Sequence, residues 1–190
     1  VDPSQYGSLV QLMEESFVKF AARTAYVFMG KELGFGETDS FSRAFAAYLQ
    51  GLGLAKGDRV AIMMPNVPQY PIAVAAILRA GFVVVNVNPL YTPRELEHQL
   101  KDSGATAIVI LENFAATLEQ VIERTPVKHV VVTSMGDLLG GLYGAWITVA
   151  VRHLAKMVPP YKLPMGNGRT VTPFSKVIEE GRGRALAPDQ

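Results

Sequence analysis

Short apolar runs rich in valine and isoleucine, each parted from the next by a stretch of helical spacing, constrain this chain more than any other feature. The runs lie at 58–64, 82–87, 107–111 and 129–133. They are nearly continuous rather than alternating, which is the pattern of strands covered on both faces. Strands that alternate with helices form βαβ units, and right-handed crossovers set successive strands parallel. The expected fold class is therefore α/β, a mostly parallel sheet built from βαβ units with helices on both faces. Strand order is not encoded in such a pattern.

Local signals place the helices. Ser8 caps a helix whose apolar positions Leu9, Leu12, Met13, Phe17 and Phe20 recur at three and four residues. Strands at 25–29 and 32–35 flank the turn at Gly30-Lys31. A helix is expected from about Asp39, burying Phe41, Phe45, Tyr48, Leu49 and Leu52 and stopping at Gly53. Asn66 and Gln69 are spaced to cap the next helix reciprocally, with Pro68 in its first turn and Pro71 as a source of kinking. Thr92-Pro93-Arg94-Glu95 is a complete helix start: an N-cap, a proline at the first position and a carboxylate that returns to the cap. One helix over 113–124 precedes the run at 129–133. Phe174, Val177 and Ile178 anchor a last helix, and 181–190 reads as a frayed tail.

Several classes of chemistry are excluded. With 190 residues, 49% hydrophobic and 18% charged, the chain is globular and long enough for a sizeable core. A net charge of +1 offers no electrostatic reason for a nucleic-acid partner. Cysteine is absent, which removes disulfides, thiolate metal sites and a thiol nucleophile, and fits a reducing cytosol. His98, His129 and His153 share no metal-ligand spacing, so no metal site is expected. Val1-Asp2-Pro3-Ser4 lacks the succession of a signal peptide. Glu95 and Glu97 face different ways on a helix and do not form an acid–base pair, and Arg94 belongs to a solvated surface.

After Ser134 the character changes. Residues 1–134 read as the α/β part of a domain; 135–190 add a glycine-rich lead-in, an amphipathic helix, a Pro/Gly-rich loop and the tail. The uncharged stretch 138–151 is shorter than the ~20 residues that cross a bilayer, and Gly140, Gly141 and Gly144 interrupt it. Tyr143, Ile147, Val151, Leu154 and Met157 form one apolar stripe, with Arg152, His153 and Lys156 at its end. Two readings stand side by side: a helix packed on its own protein, or one whose Trp146, Arg152 and Lys156 rest on anionic lipid.

The stretch Leu78-Arg79-Ala80-Gly81-Phe82-Val83-Val84-Val85-Asn86-Val87-Asn88-Pro89-Leu90-Tyr91-Thr92 resembles a signature of the adenylate-forming (AMP-binding) enzymes. Its continuation through Pro93-Arg94-Glu95-Leu96-Glu97-His98-Gln99-Leu100-Lys101-Asp102-Ser103-Gly104-Ala105 is similar to bacterial long-chain fatty-acid–CoA ligases. Lys56-Gly57-Asp58-Arg59-Val60-Ala61, Met64-Pro65-Asn66-Val67-Pro68-Gln69-Tyr70-Pro71, Lys128-His129-Val130-Val131-Val132-Thr133 and Lys156-Met157-Val158-Pro159-Pro160-Tyr161 resemble the same family. One departure is local. Where the family's first motif carries a hydroxyl that caps a helix, this chain has Gly34, and Thr38 replaces an apolar anchor.

The resemblance implies ATP-dependent activation of a long-chain fatty acid through an acyl-adenylate to acyl-CoA, with magnesium, ATP and CoA as the full-length enzyme's requirements. It implies a Ser/Thr/Gly-rich phosphate loop with lysine and a lysine in a C-terminal domain. Neither is in this sequence. The chain therefore reads as the front part of a longer enzyme, inactive alone, with no residue assigned to catalysis and no cofactor of its own. Gly81, Asn88, Pro89, Tyr91 and Thr92 either line the acyl or nucleotide cleft, following a strand's carboxyl end, or simply shape a turn. A cytoplasmic location follows, peripheral on the inner face of the cell membrane, with self-association through bare sheet surface. The competing readings are a stand-alone lipid- or protein-binding module and a related ligase for aromatic or short acids.

Overall fold

A computed structural model describes residues 5–187 of the chain. Helix α1, Leu9–Lys19, starts at Ser8, whose hydroxyl accepts the Gln11 N–H at 3.1 Å. Strands β1, Thr24–Phe28, and β2, Lys31–Gly34, form an antiparallel hairpin of their own. Met29 and Gly30, both at positive φ, make its turn.

Helix α2, Phe35–Gln50, starts earlier than the expected Asp39. Gly34 occupies the N-cap without a hydroxyl, and the first helical N–H groups, those of Phe35 and Gly36, donate instead to the Arg23 and Ala21 carbonyls at 3.0 and 3.1 Å. The Glu37 carboxylate accepts the Gly34 N–H at 2.9 Å, and the buried Thr38 hydroxyl donates to the Gly34 carbonyl at 2.9 Å. The missing cap is thus made good from outside the helix, by main-chain carbonyls of the segment before β1.

The remaining strands are β3, Arg59–Met63; β4, Val83–Asn86; β5, Ala107–Leu111; β6, His129–Thr133; and β7, Thr170–Pro173. They form one five-stranded sheet in the order β4-β3-β5-β6-β7, every neighbouring pair parallel. This bears out the expected class and supplies the order. Side chains alternate between two cores. Val60, Ile62, Val109, Leu111 and Val131 face one layer, made by α2, by α3 (Gln69–Arg79) and by α7 (Phe174–Arg182). Ala61, Met63, Ile108, Ile110 and Val130 face the other, made by α4 (Pro93–Ser103) and α5 (Ala115–Glu119).

Four further features differ from the sequence reading. Asn66 and Gln69 do not cap α3 reciprocally, because the Gln69 amide is buried and used elsewhere. The helix over 113–124 is a short α5 between two 3-10 turns, Glu112–Phe114 and Ile122–Arg124. Leu118, Val121 and Ile122 keep the buried face that their three- and four-residue spacing predicts, although the backbone leaves helical geometry at Val121. Strand β7 was not expected at all; its Pro173 sits at the end of an edge strand, where a missing N–H is harmless. Nor does the tail begin at Gly181. Gly181 and Arg182 are helical, and a Cβ on Gly181 would lie 1.9 Å from the Ala44 carbonyl oxygen, so α7 presses directly on α2. The Ala187 N–H then donates to the Gln50 side chain at 3.0 Å. Residues 188–190 of the expected tail, and 1–4, lie outside the described residues.

A buried arginine ties α1 to the first layer. The Arg79 side chain is 1% exposed; it binds Glu14 at 3.2 Å, Asp39 and Ser42, and lies 5.0 Å from the Phe17 ring centroid.

Candidate functional site

All strands of the large sheet are parallel, so the segments that follow them gather at one edge. The chain leaves β3 into α3 on one face and leaves adjacent β5 into α5 on the other. Such a reversal opens a crevice beyond the carboxyl ends of the two strands, the usual ligand position in open α/β sheets.

Polar side chains concentrate at this edge. Gln69, 1% exposed, donates its amide to Thr133 Oγ1 at 3.2 Å and to the Ser134 carbonyl at 2.8 Å. Asp137 accepts from Thr133 Oγ1 at 2.8 Å, from the Ser134 N–H at 2.9 Å and from the Ser134 hydroxyl. Glu112, directly after β5, is 1% exposed, and one of its oxygens receives the Arg152 Nε at 2.8 Å and Nη2 at 2.6 Å. The second Glu112 oxygen, the Gln69 side-chain oxygen and the Asn113 Oδ1 are buried acceptors without a protein donor. Burial, and then the Glu112 charge, push the Tyr161 phenol up, so it stays a neutral donor; the Arg152 charge pulls the other way. Glu112, Arg152, His153, Pro159 and Tyr161 line a groove of about 530 Å³. A second, more apolar concavity of about 600 Å³ lies between β1 and the lead-in to α3, lined by Tyr26, Val27, Val67, Tyr70 and Pro71.

The residues expected from sequence are divided by the fold. Asn88, Pro89, Tyr91 and Thr92 stand together at the carboxyl edge, after β4. Each polar one has a local task. Asn88 Oδ1 accepts the Leu90 N–H at 3.0 Å, and its carbonyl accepts the Tyr91 N–H at 3.1 Å. Thr92 and Glu95 exchange the capping bonds anticipated for them, and these hold the Glu95 carboxyl below its ordinary pKa. Gly81 is not with them. It makes a left-handed turn at φ +83 before β4, at the opposite edge of the sheet. Sequence reasoning missed Glu112, Asp137 and Tyr161 and read Gln69 only as a helix cap; the signal available was a polar residue closing an apolar run, as Glu112 closes Ala107–Leu111.

Helix α6, Gly141–Val149, runs on into a π-helical turn, Ala150–Leu154. Gly144 and Ile147 face inward, and a Cβ on Gly136 would meet the Gly144 carbonyl oxygen at 2.0 Å, so the helix is seated closely on the segment after β6. The expected apolar stripe is not one buried face. Ile147 is buried and Val151 half-buried, whereas Tyr143, Leu154 and Met157 are exposed. The π turn is wider than an α turn and rotates the residues beyond it out of phase. Trp146 and Lys156 are exposed, and the Arg152 guanidinium is held by Glu112.

Both glycine-rich segments have structural tasks. The one over 134–144 seats α6 and has no lysine, and Gly166 and Arg169 close the other on itself by two backbone bonds. Among the described residues no group of three or more His, Cys, Asp or Glu is placed to hold a metal ion, and Glu112 is committed to Arg152.

Residues 13–146 match the family model described as AMP-binding enzyme. The chain is 52% identical over 183 residues to the long-chain-fatty-acid–CoA ligase of Yersinia pestis, covering 96% of this chain and 32% of that protein. It is 56% identical over 165 residues to the enzyme of the same name from Escherichia coli O157:H7, covering 86% of this chain and 29% of that one. The chain thus spans about a third of the length of these relatives. Among solved structures, an anthranilate CoA ligase with anthranoyl-AMP aligns at a TM-score of 0.70 and 18% identity, over 97% of this chain and 29% of that chain. A long-chain-fatty-acid-CoA ligase from Archaeoglobus fulgidus aligns at 0.68 and 22%, over 96% and 31%. The last two share the fold. With the family model matched over most of the sequence and half or more of the positions shared with those two bacterial proteins, this chain belongs to the AMP-binding enzymes and is related to long-chain fatty-acid–CoA ligases.

Proposed function

We propose that the chain is the front part of a long-chain fatty-acid–CoA ligase, which activates a fatty acid with ATP through an acyl-adenylate and passes it to CoA. The observation that supports this reading is identity of 52–56% to proteins of that name across nearly the whole chain. Here the chain supplies a rigid parallel sheet, and the Asn88–Thr92 loop at its carboxyl edge lines the acyl or nucleotide cleft. The segments 1–134 and 135–190 act as parts of one domain. Magnesium and the nucleotide's phosphates are held by residues outside this sequence, so the chain by itself does not turn over. The protein works in the cytoplasm, peripherally on the inner face of the membrane, where its substrate partitions, and its bare sheet edges favour homo-oligomers.

Palmitate-dependent exchange of labelled pyrophosphate into ATP, measured on the intact protein and on the 190-residue chain, tests the reading. Signal is expected from the intact protein alone. An intact protein that exchanges with benzoate but not palmitate would replace the long-chain reading by an aryl one, and exchange by the chain itself would overturn the division of labour.

A further inference from the structure

Helix α6 and the π turn carry apolar residues on their outer side. Leu142 is 90% exposed, Trp146 60% and Val149 53%, and these follow one another at four- and three-residue spacing on one face, with Leu154 beyond. The opposite face, Gly144, Ile147 and Val151, is the one seated on the protein. A contiguous exposed apolar face marks an interaction surface rather than a solvated helix.

Charge identifies the partner. From Leu138 to Ile178 the sequence contains no aspartate or glutamate, yet it contains Arg152, Lys156, Lys162, Arg169 and Lys176. Three of these cations are taken up by carboxylates elsewhere in the chain: Arg152 by Glu112, Arg169 by Glu123 and Lys176 by Glu180. Lys156 and Lys162 remain exposed beyond the end of the helix, with His153 nearby; Glu119 accepts only the Lys162 main-chain N–H. No helix among the described residues is long and apolar enough to cross a membrane. A short helix with an aromatic and aliphatic outer face and free lysines at its end has the make-up of an element that lies in the plane of an anionic bilayer surface.

We infer that this face docks on anionic lipid, with Leu142, Trp146 and Val149 entering the interface and Lys156 meeting headgroup phosphates. The inference rests on the membrane-facing part of the reading above and gives it a surface. Arg152 is then not a lipid ligand. Its guanidinium is bound to the buried Glu112 carboxylate, so it fixes the turn that presents Lys156.

Trp146 is the sole tryptophan of the chain and therefore reports from the proposed face. Its emission in the 190-residue chain, and co-sedimentation of both that chain and the intact protein, are measured with phosphatidylcholine vesicles with and without phosphatidylglycerol. Binding by the chain that the intact protein lacks overturns the inference, because the rest of the polypeptide would then cover the face. Expected are a blue shift and co-sedimentation with the anionic vesicles, both lost in Val149→Glu and in Leu142→Glu. Lys156→Gln should weaken binding about fivefold, the worth of one basic residue near such a surface. Both apolar positions are exposed, and circular dichroism confirms that the variants stay folded. Unchanged emission at saturating anionic lipid, or binding that survives both glutamates, overturns the inference. So does a blue shift without lipid that grows with protein concentration alongside a dimer in sedimentation, since the occupant would then be a second copy. Palmitate exchange by the intact protein is scored separately: its failure with vesicle binding intact sinks the ligase reading, and the converse sinks this one.

Discussion

Gln69, the first residue of α3, donates its side-chain amide to Thr133 Oγ1 at the end of β6, 64 residues further along the chain. Between them, in sheet order, stands β5. The bond therefore spans the crevice edge and holds the segments after β3 and β6 in fixed relation. The carboxyl edge is pre-shaped by polar bonds rather than by loop packing alone, which suits a surface against which other parts of an enzyme assemble.

The buried arginine separates charge from packing. Asp39→Ala leaves the Arg79 guanidinium enclosed with Glu14 and Ser42 as remaining partners. The expected loss is about 2–3 kcal/mol, below the ~3–5 kcal/mol of a pair broken outright. Arg79→Met removes the charge itself, and Asp39 keeps Arg43 at 3.1 Å, so the loss should stay under about 1.5 kcal/mol. Urea unfolding checks the ranking, and the reverse order would show that the carboxylates, not the guanidinium, are the group in need of a partner.

Gly181→Ala places a methyl group against the Ala44 carbonyl, main chain that cannot yield. It should destabilise by about 1–3 kcal/mol. Gly183→Ala meets only an ordinary contact at 3.6 Å and should change stability by less than about 0.5 kcal/mol. Thermal melts of the two variants side by side decide whether the α2–α7 approach is as close as described.

Acid should find Glu97. Hydrogen bonds from Arg124 and Lys101 hold its carboxyl down to about 2 from 4.5. Because the folded value is the lower one, the group contributes stability above 4.5, and that contribution is lost as pH falls from 4.5 through about 2. Glu97→Gln should flatten the stability curve in that window and nowhere above it. The site is exposed, so high salt should shrink the difference between variant and parent. A gap between them that persists unchanged in molar salt would contradict this account.

Gly136→Ala tests the seating of α6. The added methyl group would lie against the Gly144 carbonyl, while the backbone at 136 needs no positive φ. Amide exchange in α6 should accelerate on the order of tenfold, and amides in β5 and β6 should keep their protection. Equal acceleration throughout would mean that α6 is not a separable unit.

What could be read from sequence divides by the range of the interaction. Thr92 and Glu95 cap α4 within one turn, and that helix was legible with its boundary. The strand at 107–111 was legible because it is buried on both faces and uniformly apolar, and the one at 129–133 because Val130, Val131 and Val132 form an unbroken β-branched middle. Gln69 was misassigned for the opposite reason: its partners arrive from far along the chain and outcompete the local cap. Strand β7 escaped notice because Thr170-Val171-Thr172-Pro173 is short and half-polar, and becomes a strand only by pairing with β6. At the carboxyl edge, Asn88–Thr92 could be seen as a motif, whereas the Glu112–Arg152 pair depends on a 40-residue separation and on a π turn that no periodicity announces.

The late arrival of β7 has a consequence for biosynthesis and for shorter versions of this chain. Until Thr170 and the residues after it are available, one margin of β6 carries unpaired amides and carbonyls beside an apolar strand, the condition under which nascent or clipped polypeptides recruit one another. A piece ending at residue 146, where the family match stops, keeps four strands of the sheet and leaves that margin bare. Residues 170–187, although polar and unassuming in composition, act as the sheet's seal.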